Sequence, residues 1–186
     1  MTTWKQWRNE QRYRLTQQRL AFANDLRLIH QVALFNQLQL IIDPLPKGTI
    51  GFYWPIRGEI DCRDFICGLI KQGWQAALPK IIAPKQALQF RQWRPETIMQ
   101  AETWDIPVPQ NTPIVEPDVL IIPLVGFDKD LHRLGNGGGF YDRTLAVSEK
   151  PLYIGVGFQW MLLESIDPQP HDIPMDKIVT EEQIYS

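Results

Sequence analysis

The chain is 186 residues long, 44% hydrophobic and 22% charged, with a formal net charge of -2. That length fits one domain, 1–186, able to bury roughly 70% of its unfolded surface without metal or disulfide staples. The charge excludes a general affinity for nucleic acid or anionic membranes, and no apolar run approaches the ~20 residues of a membrane span or forms the core of a signal peptide.

Residues 1–40 read as helical. Leu15, Phe22, Leu26, Ile29 and Ala33 recur at helical spacing and predict one apolar face, with Thr16 capping a second helix after a short first one. Arg8, Arg12, Arg14, Arg19 and Arg27 crowd this region. Most of them read as a solvated helix face, with one or two left to meet an anion. Asp43 to Gly48 is a turn, and Thr49 to Trp54 a buried strand. Arg63 to Gln72 is a helix closed by Gly73. Gln75 to Leu78 and Leu88 to Trp93 are strands, and the proline-rich Glu102 to Pro117 is an extended loop. Val119 to Pro123 is continuously apolar, as a strand covered on both faces would be. A helix begins at Phe140, a buried strand spans Leu152 to Phe158, and a short strand spans Lys177 to Thr180. Alternation of strands and helices predicts an α/β domain with a mostly parallel sheet flanked by helices in three layers.

Cys62 and Cys67 are too few for a disulfide framework and have no Cys-x-x-C or His partner for a metal. This usage suits a reducing cytosol, so the expected setting is cytoplasmic. No extended apolar patch is readable, which makes a monomer the default.

The chemistry concentrates in Ile121 to Arg143, which follows a buried strand and opens a helix. Gly135, Gly137, Gly138 and Gly139 fall within five residues there. Such a loop lets backbone N–H groups approach an anion, and the helix N-terminus adds a favourable field. Arg133 precedes the loop and can pair with a phosphate oxygen. Asp142 lies in the first helical turn and can hold magnesium beside bound phosphates. No Gly-Lys-Ser/Thr closes the loop, so it is not a P-loop. A nicotinamide-binding loop is disfavoured by its late position and its distance from the strand.

The whole segment resembles the signature of the 5-formyltetrahydrofolate cyclo-ligase family. The match runs through Pro123, Gly126-Phe127-Asp128, Arg133-Leu134-Gly135, Gly137, Gly139-Phe140-Tyr141 and Asp142. The likeness extends over nearly the whole chain. Trp54 to Asp61 is similar to a segment whose glutamate, here Glu59, binds the folate. Trp104 to Pro107 resembles a wall of the pterin pocket, and Asp172 in Pro170 to Asp176 is similar to a magnesium-binding position. The family opens with Lys-x-x-x-Arg on ATP; here Lys5 and Arg8 are three apart, while Arg8 and Arg12 have the spacing with arginine in the lysine's place. Gly138 stands where some members carry lysine.

The resemblance implies an open sheet similar to sugar-phosphate isomerases and CoA transferases. It implies ATP-dependent conversion of 5-formyltetrahydrofolate to 5,10-methenyltetrahydrofolate, with Mg²⁺ and ATP, small-molecule partners only, and no covalent nucleophile. Lys5, Arg8, Arg12 and Arg133 to Tyr141 (Arg133, Leu134, Gly135, Asn136, Gly137, Gly138, Gly139, Phe140, Tyr141) would meet ATP. Trp54, Glu59, Trp104 and the loop from Asn136 to Phe140 would meet the folate, with Arg133, Tyr141 and Asp142 at the reacting groups and Asp142 and Asp172 on the metal. An inactive folate- or nucleotide-binding protein of the same fold is the alternative. His30 reads as structural, His132 and His171 receive no role, Trp4 and Trp7 read as packing residues, and Asp128 reads as a brace for the glycine loop.

Overall fold

The computed structural model describes residues 3–149 and 151–186. Its helices are α1 (Trp4–Ala21), α2 (Asn24–Ile42), α3 (Arg63–Lys71) and α4 (Phe140–Val147). The main strands are β1 (Thr49–Gly51), β2 (Gln75–Ile81), β3 (Leu88–Trp93), β6 (Val119–Pro123), β9 (Leu152–Val156), β10 (Lys177–Val179) and β11 (Ile184–Tyr185). They form a sheet in the order β11-β10-β9-β6-β1-β2-β3. The inner pairs β10–β9, β9–β6, β6–β1 and β1–β2 are parallel, and antiparallel β3 and β11 close the two edges. Two small hairpins stand outside the sheet: β4 (Met99–Ala101) with β5 (Pro107–Pro109), and β7 (Gly126–Phe127) with β8 (Arg133–Leu134). This is the expected α/β architecture.

The strand order places the site. From β1 the chain moves one way to β2 and β3, then returns to the other side of β1 through β6, β9 and β10. Beyond the carboxyl ends of β1 and β6 the connections therefore diverge and leave a crevice, where open α/β sheets bind ligands. β6 can lie centrally because Val119, Leu120, Ile121 and Ile122 are all buried. Gly51 is needed beside it. A Cβ there would sit 2.5 Å from a Leu120 methyl carbon and 2.8 Å from Pro117.

Four expectations change. First, α1 runs unbroken through Thr16, and the break falls at Phe22–Ala23. Nothing between Thr3 and Ala21 is a glycine or proline, and the start is fixed by Thr3 with Gln6 in a reciprocal capping box. Second, the break resets the helical phase, so the expected apolar face does not form. Ile29 is 64% exposed and Leu26 is exposed too, while Gln31, Leu34, Leu38, Ile41 and Ile42 are the buried residues of α2. Third, the proline-rich loop contains β5 and a 3-10 turn, Thr103–Asp105, in which Trp104 and Asp105 both have left-handed φ, 59° and 58°. Prolines can begin and end β5 because it pairs with β4 alone, and a missing N–H is tolerated on such an edge. β1 is also shorter than expected, ending at Gly51, so that Tyr53 and Trp54 lie in the loop beyond it.

Candidate active site

The cleft outside β1 and β6 has a volume of about 820 Å³. One wall is α1, which contributes Lys5, Arg8 and Arg12. Spacings of three and four put all three on one helix face, so the two registers left open by the sequence are not exclusive. Arg8 is buried and donates to the carbonyls of Ile166, at 3.0 Å, and Asp167, at 3.0 Å, and to both oxygens of Asp172. Arg12 Nε donates to the Gly135 carbonyl at 2.8 Å, tying the helix to the glycine loop. Burial first, then the neighbouring Arg8 charge, lowers the Arg12 pKa from its ordinary value. Trp4, read as a packing residue, lines the cleft and carries the Lys5 and Arg8 cations on its ring, each 5.3 Å from the centroid.

The opposite wall is the glycine loop and α4. Gly137 and Gly139 take left-handed φ of 95° and 64°, and Gly139 is the N-cap of α4. Arg143 Nη2 donates to the Gly138 carbonyl at 2.7 Å and its guanidinium lies over Phe140. Thr144 Oγ1 accepts from the Leu88 N–H at 2.9 Å, which fixes α4 to the edge strand β3. Arg133 Nη2 donates to Asp142 Oδ1 at 2.9 Å and Nη1 to the Ile173 carbonyl at 3.2 Å. The Tyr141 ring lies 5.8 Å from that guanidinium. Burial, with Glu59 adding to it, pushes the Tyr141 phenol well above its ordinary value, so it stays protonated at neutral pH. Leu134 departs from the expectation that it meets ATP. It is fully buried and does not line the cleft, because neighbours along β8 point to opposite sides.

The floor is the loop after β1. Glu59 is 7% exposed. It accepts the Ile56 N–H at 3.1 Å and the Asn136 side-chain amide at 3.3 Å, which links it to the glycine loop. Burial raises its carboxyl pKa, against Arg19, whose Nη2 is 3.8 Å away. Trp54 lines the cleft with the Arg63 guanidinium 4.7 Å from its ring, itself held by Asp61. Trp104 stands at the mouth, 67% exposed and edge-on to Phe140 at 5.9 Å. The cleft thus joins a cationic, N–H-rich end to an end of aromatic rings and a carboxylate.

For a magnesium ion, Asp142 fits. Its Oδ1 takes Arg133 and the Ile173 N–H, its Oδ2 takes neither bond, and the side chain is 22% exposed. Mg²⁺ is commonly held by one carboxylate together with phosphates and water. Asp172 differs from the expectation: both its oxygens are engaged by Arg8, and Oδ2 also accepts the Gln169 N–H. Among the described residues no group of three or more His, Cys, Asp or Glu gathers as a metal cage.

The remaining expectations fare unevenly. Asp128 is a brace, accepting the His132 N–H at 3.0 Å and the Ile166 N–H at 3.0 Å, but for the β7–β8 turn and the Ile166 segment rather than the glycine loop. His30 is structural, bonded to Glu181 at 2.9 Å. His171 lines the cleft. Sequence reasoning missed Tyr53 and Arg57, which also line it, and Arg19 beneath it. Among the α1–α2 arginines only Arg14 matches the solvated reading; Arg8 and Arg19 are buried and Arg12 and Arg27 half-buried. An unbroken α1 was the signal that would have grouped them.

The fold and the cleft define a class: an α/β protein whose cleft at the topological switch point sets a cationic end beside an end of aromatic rings and a carboxylate. Residues 4–181 match the model of the 5-formyltetrahydrofolate cyclo-ligase family, and the chain belongs to that family. It is 35% identical to the 5-formyltetrahydrofolate cyclo-ligase of Haemophilus influenzae over 75% of this chain and 79% of that one. It is similar to the solved 5,10-methenyltetrahydrofolate synthetase of Mycoplasma pneumoniae, at TM-score 0.78 and 27% identity over 94% of this chain and 98% of that one. The Aquifex aeolicus 5,10-methenyltetrahydrofolate synthetase shares the fold, with TM-score 0.83 at 24% identity over 95% and 91%.

Proposed function

We propose that the chain, acting as one domain over 1–186, converts 5-formyltetrahydrofolate to 5,10-methenyltetrahydrofolate at the expense of ATP, as a cytoplasmic monomer. The observation that carries this reading is a cleft that has both a phosphate-suited end and a ring-suited end, in a member of this family. No observation favours the inactive binding protein.

A formamide carbonyl is a poor electrophile and its oxygen a poor leaving group. Transfer of the γ-phosphoryl group to the formyl oxygen removes both obstacles and releases ADP. The N10 lone pair then attacks the formyl carbon, N10 loses its proton, and the carbon–oxygen bond breaks to expel inorganic phosphate. N5 and N10 are left joined through one carbon. The protein's share is positioning and charge neutralisation. Lys5, Arg8, Arg12 and Arg133 supply cations, and the loop from Gly135 to Gly139 supplies N–H donors at the start of α4. Asp142 would hold magnesium, which would supply charge neutralisation to the phosphates. Glu59 accepts from the ring N–H groups, Trp54, Trp104 and Phe140 give contact surface, and Tyr141 covers Arg133.

The test is absorbance of the methenyl product with protein, 5-formyltetrahydrofolate, Mg²⁺ and ATP. A rise only in the complete mixture is expected. A folded protein that gives no rise overturns the proposal.

A further inference from the structure

Arg19 is 1% exposed, and the cleft does not touch it. Burying a guanidinium is costly unless it is paired and fully hydrogen-bonded. Two of its nitrogens are used: Nε donates to the Arg57 carbonyl at 3.0 Å and Nη1 to the Leu124 carbonyl at 3.2 Å. Both bonds hold the mouths of loops, one after β1 and one after β6. Either could be made by a neutral donor. The third nitrogen, Nη2, has no hydrogen-bond partner and stands 3.8 Å from Glu59 Oε1. The charge itself therefore has one recipient. A second arginine holds the arrangement from below: Arg27 donates to the Gly58 carbonyl and to the Arg19 carbonyl.

We infer that Arg19 is a positioning residue for the reaction: its buried charge, directed from α1 beneath the cleft, keeps the Glu59 carboxylate ionised, the acceptor-only form that holds the folate ring. This rests on the reading of Glu59 as the ring's acceptor. Ring N–H groups need an acceptor, and a protonated carboxyl would present a donor to them. The other groups facing Glu59 cannot take over. Tyr53 and Cys62 are buried and neutral, half-buried Tyr141 is neutral too, and Asn136 is uncharged. Arg57 is a cation on Glu59's own loop, but it is solvent-exposed and hence screened. Burial favours the neutral carboxyl, and Arg19 leads the influences that oppose it.

The experiment measures the affinity for 5-formyltetrahydrofolate without ATP from pH 5 to 8, as the ratio of variant to wild type, so that titration of the ligand cancels. Arg19→Met is expected to move the acid limb of folate affinity upward by about one pH unit, a roughly tenfold loss on the limb. ATP affinity should be unchanged, and Arg19→Lys should restore most of the limb. An unmoved limb, or equal loss of ATP and folate binding, overturns the inference in favour of a purely structural arginine. Should Arg19→Met fail to fold, Arg19→Gln, which keeps a donor and drops the charge, answers the same question by the same limb. Glu59→Gln separates the two levels. It should weaken folate at every pH; wild-type affinity would overturn the reading of Glu59 and this inference with it, whereas an unmoved Arg19 limb beside a weakened Glu59→Gln overturns the inference alone.

Discussion

Asp142 and Asp172 are the same chemical group in two settings. Asp142 gives one oxygen to Arg133 and the Ile173 N–H, and its other oxygen takes neither bond; Asp172 has both oxygens engaged. Asp142→Asn should therefore leave the protein folded, lower turnover by tenfold or more on the order of one lost metal contact, and weaken the dependence on magnesium. Rates measured against magnesium concentration check this, and unchanged rates at limiting metal remove Asp142 from the metal. The two thiols give a second contrast. Burial pushes the Cys62 thiol up to about 12, so it carries almost no thiolate at pH 8. A thiol reagent should modify at most one cysteine of the native protein, at half-buried Cys67, and both after denaturation; rapid reaction of Cys62 in the folded state would contradict its burial. At this scale the sequence was informative wherever function was local. Arg133, the glycines, Tyr141 and Asp142 lie within ten residues, so one segment exposed them together. Arg19 was illegible because its partner, Glu59, and its acceptors, Arg57 and Leu124, are distant in sequence.

Helix α1 is the element whose position decides the cleft. It is held at Arg8 by Asp172 and at Arg12 by the glycine loop. Burial raises the Asp172 pKa, but the Arg8 hydrogen bonds and the Gln169 N–H outweigh it and leave the carboxyl below its ordinary value. A depressed folded value means that the pair stabilises fully above the unfolded carboxylate pKa of ~3.9 and that this is lost as pH falls through the lower folded value. Asp172→Ala leaves Arg8 buried without its anion and should cost about 3 kcal/mol at neutral pH. Urea unfolding checks the loss, and the variant and parent should converge in acid. Element boundaries were read unevenly for a physical reason. Strand β6 declares itself by a continuous apolar run and α4 by the glycines before it. The α1–α2 break has neither glycine nor proline, and it alone sets which face of α2 is buried.

Across the whole molecule, the two ends of the cleft belong to different parts of the fold, so two ligands should stabilise it separately. ATP and folate, each at about a hundred times its dissociation constant, should raise the melting temperature by about 5–10 °C. Arg12→Ala should diminish the ATP shift and spare the folate shift, and Glu59→Gln the reverse; a differential melting series decides it. The mostly parallel α/β class followed from alternation of elements alone. The switch point between β1 and β6 did not, because strand order is a tertiary property that spacing does not encode.

The bond between Arg8 and Asp172 joins residues 164 positions apart. On a ribosome adding about 5–20 residues per second, α1 emerges on the order of ten seconds or more before its anchor exists. Through that interval Arg8 has no carboxylate to meet, and the phosphate end of the cleft cannot close. Completion of the site is thus a late event of synthesis, and a chain stopped short of residue 172 should stay open to proteases however well its sheet has formed.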